Sequence, residues 1–165
     1  MVLSDLGLGR IGHVGIVVRD VKASVEAYWN TLGIGPWKVY LNSSPPIRDV
    51  IYYGRPVSYR VRLAFAQSDS LTIELIEYLE GETIHRDFST THGEGIEHIG
   101  IYVPDLGPPL ARLRSQGLTV MQSAEGLGKS GDGRYAYLDT RSTLGTILEL
   151  VQAATQRAAP EFTYP

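Results

Sequence analysis

Polar and apolar positions alternate through residues 11–18, so His13, Gly15 and Val17 share one face of an extended segment while Val14, Ile16 and Val18 share the other. That period of two predicts a strand. Asp20 then stands as an N-cap, Val21, Val25, Tyr28 and Leu32 recur at helical intervals, and Gly33 supplies a C-terminal stop. Apolar runs at 37–41, 57–66 and 71–78 read as three further strands. The second half repeats this order. Strand 95–103 leads to a helix capped by Asp105, which uses Leu106, Leu110 and Leu113, holds Pro108 and Pro109 in its first turn and stops at Gly117. Strands at 118–122, 134–138 and 145–152 follow, with the glycine-rich stretch 125–133 as a loop. Residues 82–91 read as a short helix in a linker, and 155–165 as a polar C-terminal tail. The pattern predicts an α+β fold of two tandem βαβββ modules forming curved mixed sheets. One domain spans 1–154, with modules at about 10–79 and 95–152 and a linker at 80–94.

The modules also repeat residue by residue. His13-Val-Gly-Ile-Val-Val-Arg-Asp20 is echoed by His98-Ile-Gly-Ile-Tyr-Val-Pro-Asp105, and Glu74-Leu-Ile-Glu77 by Glu149-Leu-Val-Gln152. The histidines lie 85 positions apart and the glutamates 75, so the first half holds ten extra residues, read as an inserted loop at 42–58 that flanks the pocket. Strand alternation sends each of these glutamates and histidines to the face opposite its apolar neighbours. A lone histidine or glutamate in a strand is most often structural; four at duplicated positions are a different matter. If the sheets curl so that these faces converge, two neutral imidazoles and two carboxylates surround one divalent cation and offset its charge. His13, Glu74, His98 and Glu149 are therefore the candidate metal ligands. Glu77 ranks below Glu74, because it lies on the opposite face and its counterpart is Gln152.

Composition narrows the chemistry further. Without cysteine there is no disulfide, thiolate ligand or thiol nucleophile, so a metal must be held by nitrogen and oxygen, which suit zinc, cobalt, nickel, manganese or iron. A net charge of −3 with interspersed signs offers no basic stripe for nucleic acid. No apolar run reaches the length of a membrane span. A soluble, cytoplasmic protein acting on a small molecule is expected. Trp37, Tyr53 and Tyr59, with Tyr40, Tyr52, Tyr135 and Tyr137, are candidates for an aromatic substrate wall, and Arg55, Arg62 and Arg134 for gripping a substrate anion. His85 and His92 read as solvent-exposed in the polar linker.

The segments Ile11-Gly-His-Val-Gly-Ile-Val-Val, Leu32-Gly-Ile-Gly-Pro-Trp37, Gly93-Glu-Gly-Ile-Glu-His98-Ile-Gly-Ile and Gly145-Thr-Ile-Leu-Glu149-Leu-Val together resemble the vicinal oxygen chelate superfamily, which groups glyoxalases, bleomycin-resistance proteins and ring-cleaving dioxygenases. Within it the chain is most similar to the methylmalonyl-CoA epimerase and glyoxalase-like branch. The resemblance covers residues 11–152. It implies that His13, Glu74, His98 and Glu149 bind one divalent metal ion. It further implies a metal-dependent isomerase, epimerase or lyase, acting on a small substrate with two adjacent oxygens through an enolate-type intermediate. Epimerases of this branch carry a separate glutamate base before the third strand. Here residues 44–58 hold only Asp49 as a carboxylate, so the resemblance to glyoxalases makes Glu149 or Glu74 the base. The family also implies a homodimer. Two other functions fit the superfamily. A non-haem iron(II) ring-cleaving or other oxygenase would use His13, His98 and Glu149, with Glu74 counting against it. A non-catalytic, drug-binding protein would sequester its ligand without metal, and the full ligand set counts against that.

Overall fold

The computed structural model describes residues 8, 10–43 and 46–165. Strand β1 (His13–Val18) runs into helix α1 (Val21–Leu32) at the expected cap, where the Asp20 side chain accepts the Ala23 N–H and Gly33 closes the helix in the left-handed region. Val21 and Val25 are buried, whereas Leu32, expected on the same face, is 63% exposed at the last residue of the helix. The first module continues with β2 (Trp37–Ser43), β3 (Arg48–Tyr52), β4 (Arg55–Pro56), β5 (Tyr59–Ser68) and β6 (Leu71–Gly81). Helix α2 (Ile84–His92) links it to β7 (Gly95–Tyr102), α3 (Gly107–Ser115), β8 (Val120–Leu127), β9 (Gly133–Leu138), the single turn α4 (Arg141–Leu144), β10 (Ile147–Gln152) and β11 (Phe162–Tyr164). At α3 the cap position is Leu106, and Asp105, one residue earlier, accepts the Gly107 N–H at 2.9 Å.

All eleven strands form one sheet in the order β11-β2-β5-β6-β1-β7-β10-β9-β8-β3-β4. Each module contributes four consecutive strands, and the modules meet where β1 pairs antiparallel with β7. Within each module the first and last strands are parallel, which the intervening helix makes possible. This is the expected two-module βαβββ architecture.

Three expectations are corrected. The insertion at 42–58 is not a loop but a hairpin: the β-prone run Val50, Ile51 and Tyr52 forms a strand, and Tyr53 and Gly54 turn it with positive φ. That hairpin crosses to the second module, where β3 pairs with β8; Ser44 and Pro45 of the insertion lie outside the described residues. The tail at 155–165 contains β11, which returns to pair antiparallel with β2 of the first module. The glycine-rich loop is shorter than expected, because β8 runs on to Leu127. Each module's outer strand is thus covered by a segment of the other module. The link from Ser43 to Arg48 spans at most about 18 Å, so the sheet curls until its two ends are neighbours.

Apolar residues pack on both sides of this curl. On the convex side, α1 covers Trp37, Val39, Ala64 and Leu75, and α3 covers Ile101, Leu148 and Leu150. Inside, Val61, Leu63, Tyr135, Tyr137 and Ile147 pack with Ile47, Val50 and Tyr52 from the crossing hairpin. No helix among the described residues is long and apolar enough to cross a membrane.

Candidate metal centre

The antiparallel register of β1 and β7 sets His13 opposite Gly100 and Gly15 opposite His98. A Cβ on Gly15 would lie 2.0 Å from the His98 ring, and one on Gly100 would lie 1.7 Å from the His13 ring. The glycine of each His-x-Gly segment is therefore the floor on which the other module's imidazole rests. On its other side Gly15 pairs with Glu74, and Gly100 with Glu149. Each glycine sits between a carboxylate and an imidazole pointing to the concave face.

The four side chains converge. One ligand atom from each of His13, Glu74, His98 and Glu149 lies within 4.8 Å of all the others, and all four residues are buried. His13 Nε2 is 3.2 Å from His98 Nε2, 2.7 Å from Glu149 Oε2 and 3.4 Å from Glu74 Oε2. His98 Nε2 is 3.3 Å from Glu74 Oε2 and 3.4 Å from Glu149 Oε2. Donors bonded to zinc at about 2.0–2.2 Å stand roughly 3.3 Å apart in a tetrahedron. The spacing and the nitrogen and oxygen donors fit a divalent cation. Burial opposes charge on Glu149, but hydrogen bonds to His13 and His98 outweigh it and lower its carboxyl. Burial likewise disfavours a charged His98, yet Glu149, Glu74 and Glu97 raise its imidazole well above the ordinary range.

Behind His98 stands a carboxylate that strand alternation hides. Glu97, 2% exposed, accepts hydrogen bonds at Oε2 from His98 Nδ1 (3.0 Å) and from His85 Nδ1 (2.8 Å). Burial pushes its carboxyl up, but the charge of His85 and the hydrogen bonds from both imidazoles bring it down to about 2. The pairing steps from Gly15↔His98 to Ile16↔Ile96, leaving Glu97 as the extra residue of a β-bulge. That irregularity turns Glu97 towards the same interior as His98, and a strict period of two conceals it. His85, expected in solvent, is 3% exposed, because Glu97 draws it inward from α2; His92 is exposed and stacks on Phe88.

Above the ligands opens a cavity of about 170 Å³. Tyr40, Tyr59, Phe65, Tyr102, Tyr135 and Tyr137 form its aromatic wall, with His85 at its side. Glu74 and Glu149 are its only carboxylates among the described residues; β5 presents Tyr59, Val61, Leu63 and Phe65. Asp49 is exposed and faces Arg48 at 3.8 Å. A buried relay runs from the Ile84 N–H to Gln122 Oε1 (3.0 Å), from Gln122 Nε2 to the Tyr135 hydroxyl (2.9 Å), and from that hydroxyl to Tyr59 (2.9 Å). Since Tyr59 accepts from Tyr135, its own proton is available to the cavity. Burial raises both phenols, which keeps them neutral donors. Arg157, held over the Phe65 ring at 6.0 Å, is the one arginine or lysine lining the cavity among the described residues.

Of the expected substrate-binding residues Tyr40, Tyr59, Tyr135 and Tyr137 line this cavity, whereas Trp37, Tyr52, Tyr53, Arg55, Arg62 and Arg134 do not. Trp37 is fully buried beneath α1, its indole N–H donating to Ile34 O. Tyr53 sits exposed at the hairpin turn, and Arg55 pairs with Glu82 at 3.0 Å. Arg134 is bound to Gln152 Oε1 at 2.6 Å and to Asp105 at 3.1 Å, so its guanidinium braces the sheet against the start of α3. Phe65, Tyr102 and Arg157 join the site without having been singled out. The first two sit at strand positions no different from core aromatics, and the third belongs to the supposed tail.

The profile of the glyoxalase/bleomycin resistance protein/dioxygenase superfamily matches residues 12–137. The ethylmalonyl-CoA/methylmalonyl-CoA epimerase of Cereibacter sphaeroides is 28% identical over 146 residues, covering 88% of this chain and 98% of that protein. An uncharacterized Bacillus subtilis protein, YqjC, is 26% identical over 88% of this chain and 93% of its own. Among solved structures, a variant of Streptomyces coelicolor methylmalonyl-CoA epimerase in complex with 2-nitronate-propionyl-CoA superposes with a TM-score of 0.66 at 25% identity, covering 92% of this chain and 99% of that one. The Mycobacterium tuberculosis methylmalonyl-CoA epimerase gives the same score and identity, with 93% of both chains covered.

Proposed function

The chain belongs to the glyoxalase/bleomycin resistance protein/dioxygenase superfamily, and from that premise we propose that it is an epimerase-type isomerase holding one divalent metal ion on His13, Glu74, His98 and Glu149. The observation that carries this reading is the convergence of those four ligand atoms on the floor of an aromatic cavity. A bound divalent ion would supply Lewis acidity, withdrawing charge from two neighbouring substrate oxygens as a carbon-bound proton leaves.

The rest falls to side chains. Glu149 and Glu74 are the only cavity carboxylates among the described residues, so one of them accepts the proton at a carboxylate oxygen and, for inversion, the other delivers a proton to the opposite face of the carbon. This departs from the epimerase pattern with its separate glutamate base and agrees with the glyoxalase pattern. Tyr59, oriented by Tyr135 and Gln122, donates a hydrogen bond to a substrate oxygen, and the aromatic walls exclude water. The Cereibacter, Streptomyces and Mycobacterium relatives named above are methylmalonyl-CoA epimerases, which makes a 2-carboxyacyl thioester the first substrate class to try.

The test is solvent exchange. Protein purified without chelator and loaded with Co²⁺ is incubated in D₂O with methylmalonyl-CoA and, separately, with the methylglyoxal–glutathione hemithioacetal. Metal-dependent deuterium incorporation is expected with one of them and is lost in Glu149→Gln or Glu74→Gln. Absence of exchange from both substrates in metal-replete protein overturns the proposal.

A further inference from the structure

Resting on the metal-site reading above, we propose that Glu97 is a positioning residue, which fixes His98 as the anchoring ligand of the centre and ties it through His85 to the cavity wall. The two histidines occupy equivalent places in the repeat, yet the nitrogens behind them differ. His98 Nδ1 lies 3.0 Å from Glu97 Oε2, whereas His13 Nδ1 is buried with no hydrogen-bond partner among the described residues. A carboxylate can only accept, so His98 donates from Nδ1, and Nε2 is the nitrogen whose lone pair would face a cation held among Glu74, Glu149 and His13. Among the described residues no carboxylate stands behind His13 Nδ1; its one close carboxylate contact is at Nε2, with Glu149 Oε2 at 2.7 Å, on the ligand side itself.

The contact is built, not incidental. Glu97 is excluded from solvent and is displaced from strand alternation by the bulge opposite Gly15 and Ile16. A buried carboxylate is costly unless paired. Here one oxygen is shared by two imidazoles, His98 at the ligand cluster and His85 on the cavity wall. An imidazole whose far N–H meets a carboxylate is held in orientation and is a stronger donor to a metal, and losing such a partner costs 10- to 100-fold in metal affinity. His98 is then the fixed ligand and His13 the exchangeable one. A molecule seated against His85 presses on the oxygen that orients His98.

Co²⁺ binding by the full chain, measured by chelator competition with its visible absorption spectrum, tests this. Glu97→Gln is expected to bind Co²⁺ about 10- to 100-fold more weakly, with a shifted ligand-field spectrum. His85→Asn, which leaves Glu97 to His98, should lose less. Glu97→Gln that matches the wild type within about twofold and keeps its spectrum overturns the proposal. Should that variant fail to fold, ring ¹H–¹⁵N spectra of the Zn²⁺-loaded wild type decide: a downfield, exchange-protected Nδ1 proton is expected on His98 and not on His13, and the reverse overturns it. Wild-type protein that binds no Co²⁺ overturns the metal-site reading itself, a different result from equal binding by wild type and variant.

Discussion

At the end of the first module Glu77 accepts hydrogen bonds from Arg62 and from the Val21 N–H at the start of α1; at the end of the second, Gln152 accepts them from Arg134 and from the Leu106 N–H before α3. The scaffolding of the repeat is kept even where the charge is not. The cavity side is less alike. Phe65 stands opposite Glu74 where Tyr137 stands opposite Glu149, and among the described residues only the second module's histidine has a carboxylate at its Nδ1. Duplication has preserved the ligands and their glycine floor. The hydroxyls and buried polar support lie mostly in the second module, which leaves the first as the more apolar wall.

The glycine floor offers the largest test of this comparison. Gly100→Ala and Gly15→Ala each drive a Cβ into the opposite imidazole, and each is expected to abolish tight Co²⁺ binding and cost about 1–3 kcal/mol of stability. Denaturant unfolding should give equal losses in the two modules; a difference above about 1 kcal/mol breaks the symmetry. Tyr135→Phe probes the polar side of the second module. It removes the donor to Tyr59 and the acceptor for Gln122, and a loss of about 1–2 kcal/mol is expected; a neutral result shows that the relay holds nothing in place. Glu77→Gln gives the first module the second's amide. Because Arg62 and Glu77 are partly exposed, the expected cost is about 0.5 kcal/mol, seen as a shift in unfolding midpoint with unchanged Co²⁺ affinity. Arg157→Gln should leave stability within about 0.5 kcal/mol and raise KM for an anionic substrate without changing kcat.

The sequence's periods made the helices, the central strands and the four converging side chains legible, because local alternation decides which face a residue occupies. His-x-Gly was readable as a repeat, although its reason lies across the sheet, where each glycine accommodates an imidazole from the other half. Residues whose place depends on partners far along the chain were not readable. Glu97 is turned by a bulge, Arg134 is claimed by Gln152 eighteen positions away, and the hairpin at β3–β4 and strand β11 pair with edges that local pattern cannot name. His85 was misplaced for the same reason, since its polar surroundings in the chain conceal a buried partner.

The strands that finally bound the sheet are the two-residue β4, which contains Pro56, and the three-residue β11, followed by Pro165. So short a margin exposes few unpaired backbone groups, and proline removes a donor outright. The clasp between the halves thus also guards the margins, leaving residues 40–42 of β2 and 48–49 of β3 as the stretches that extend past the register of β11 and β4.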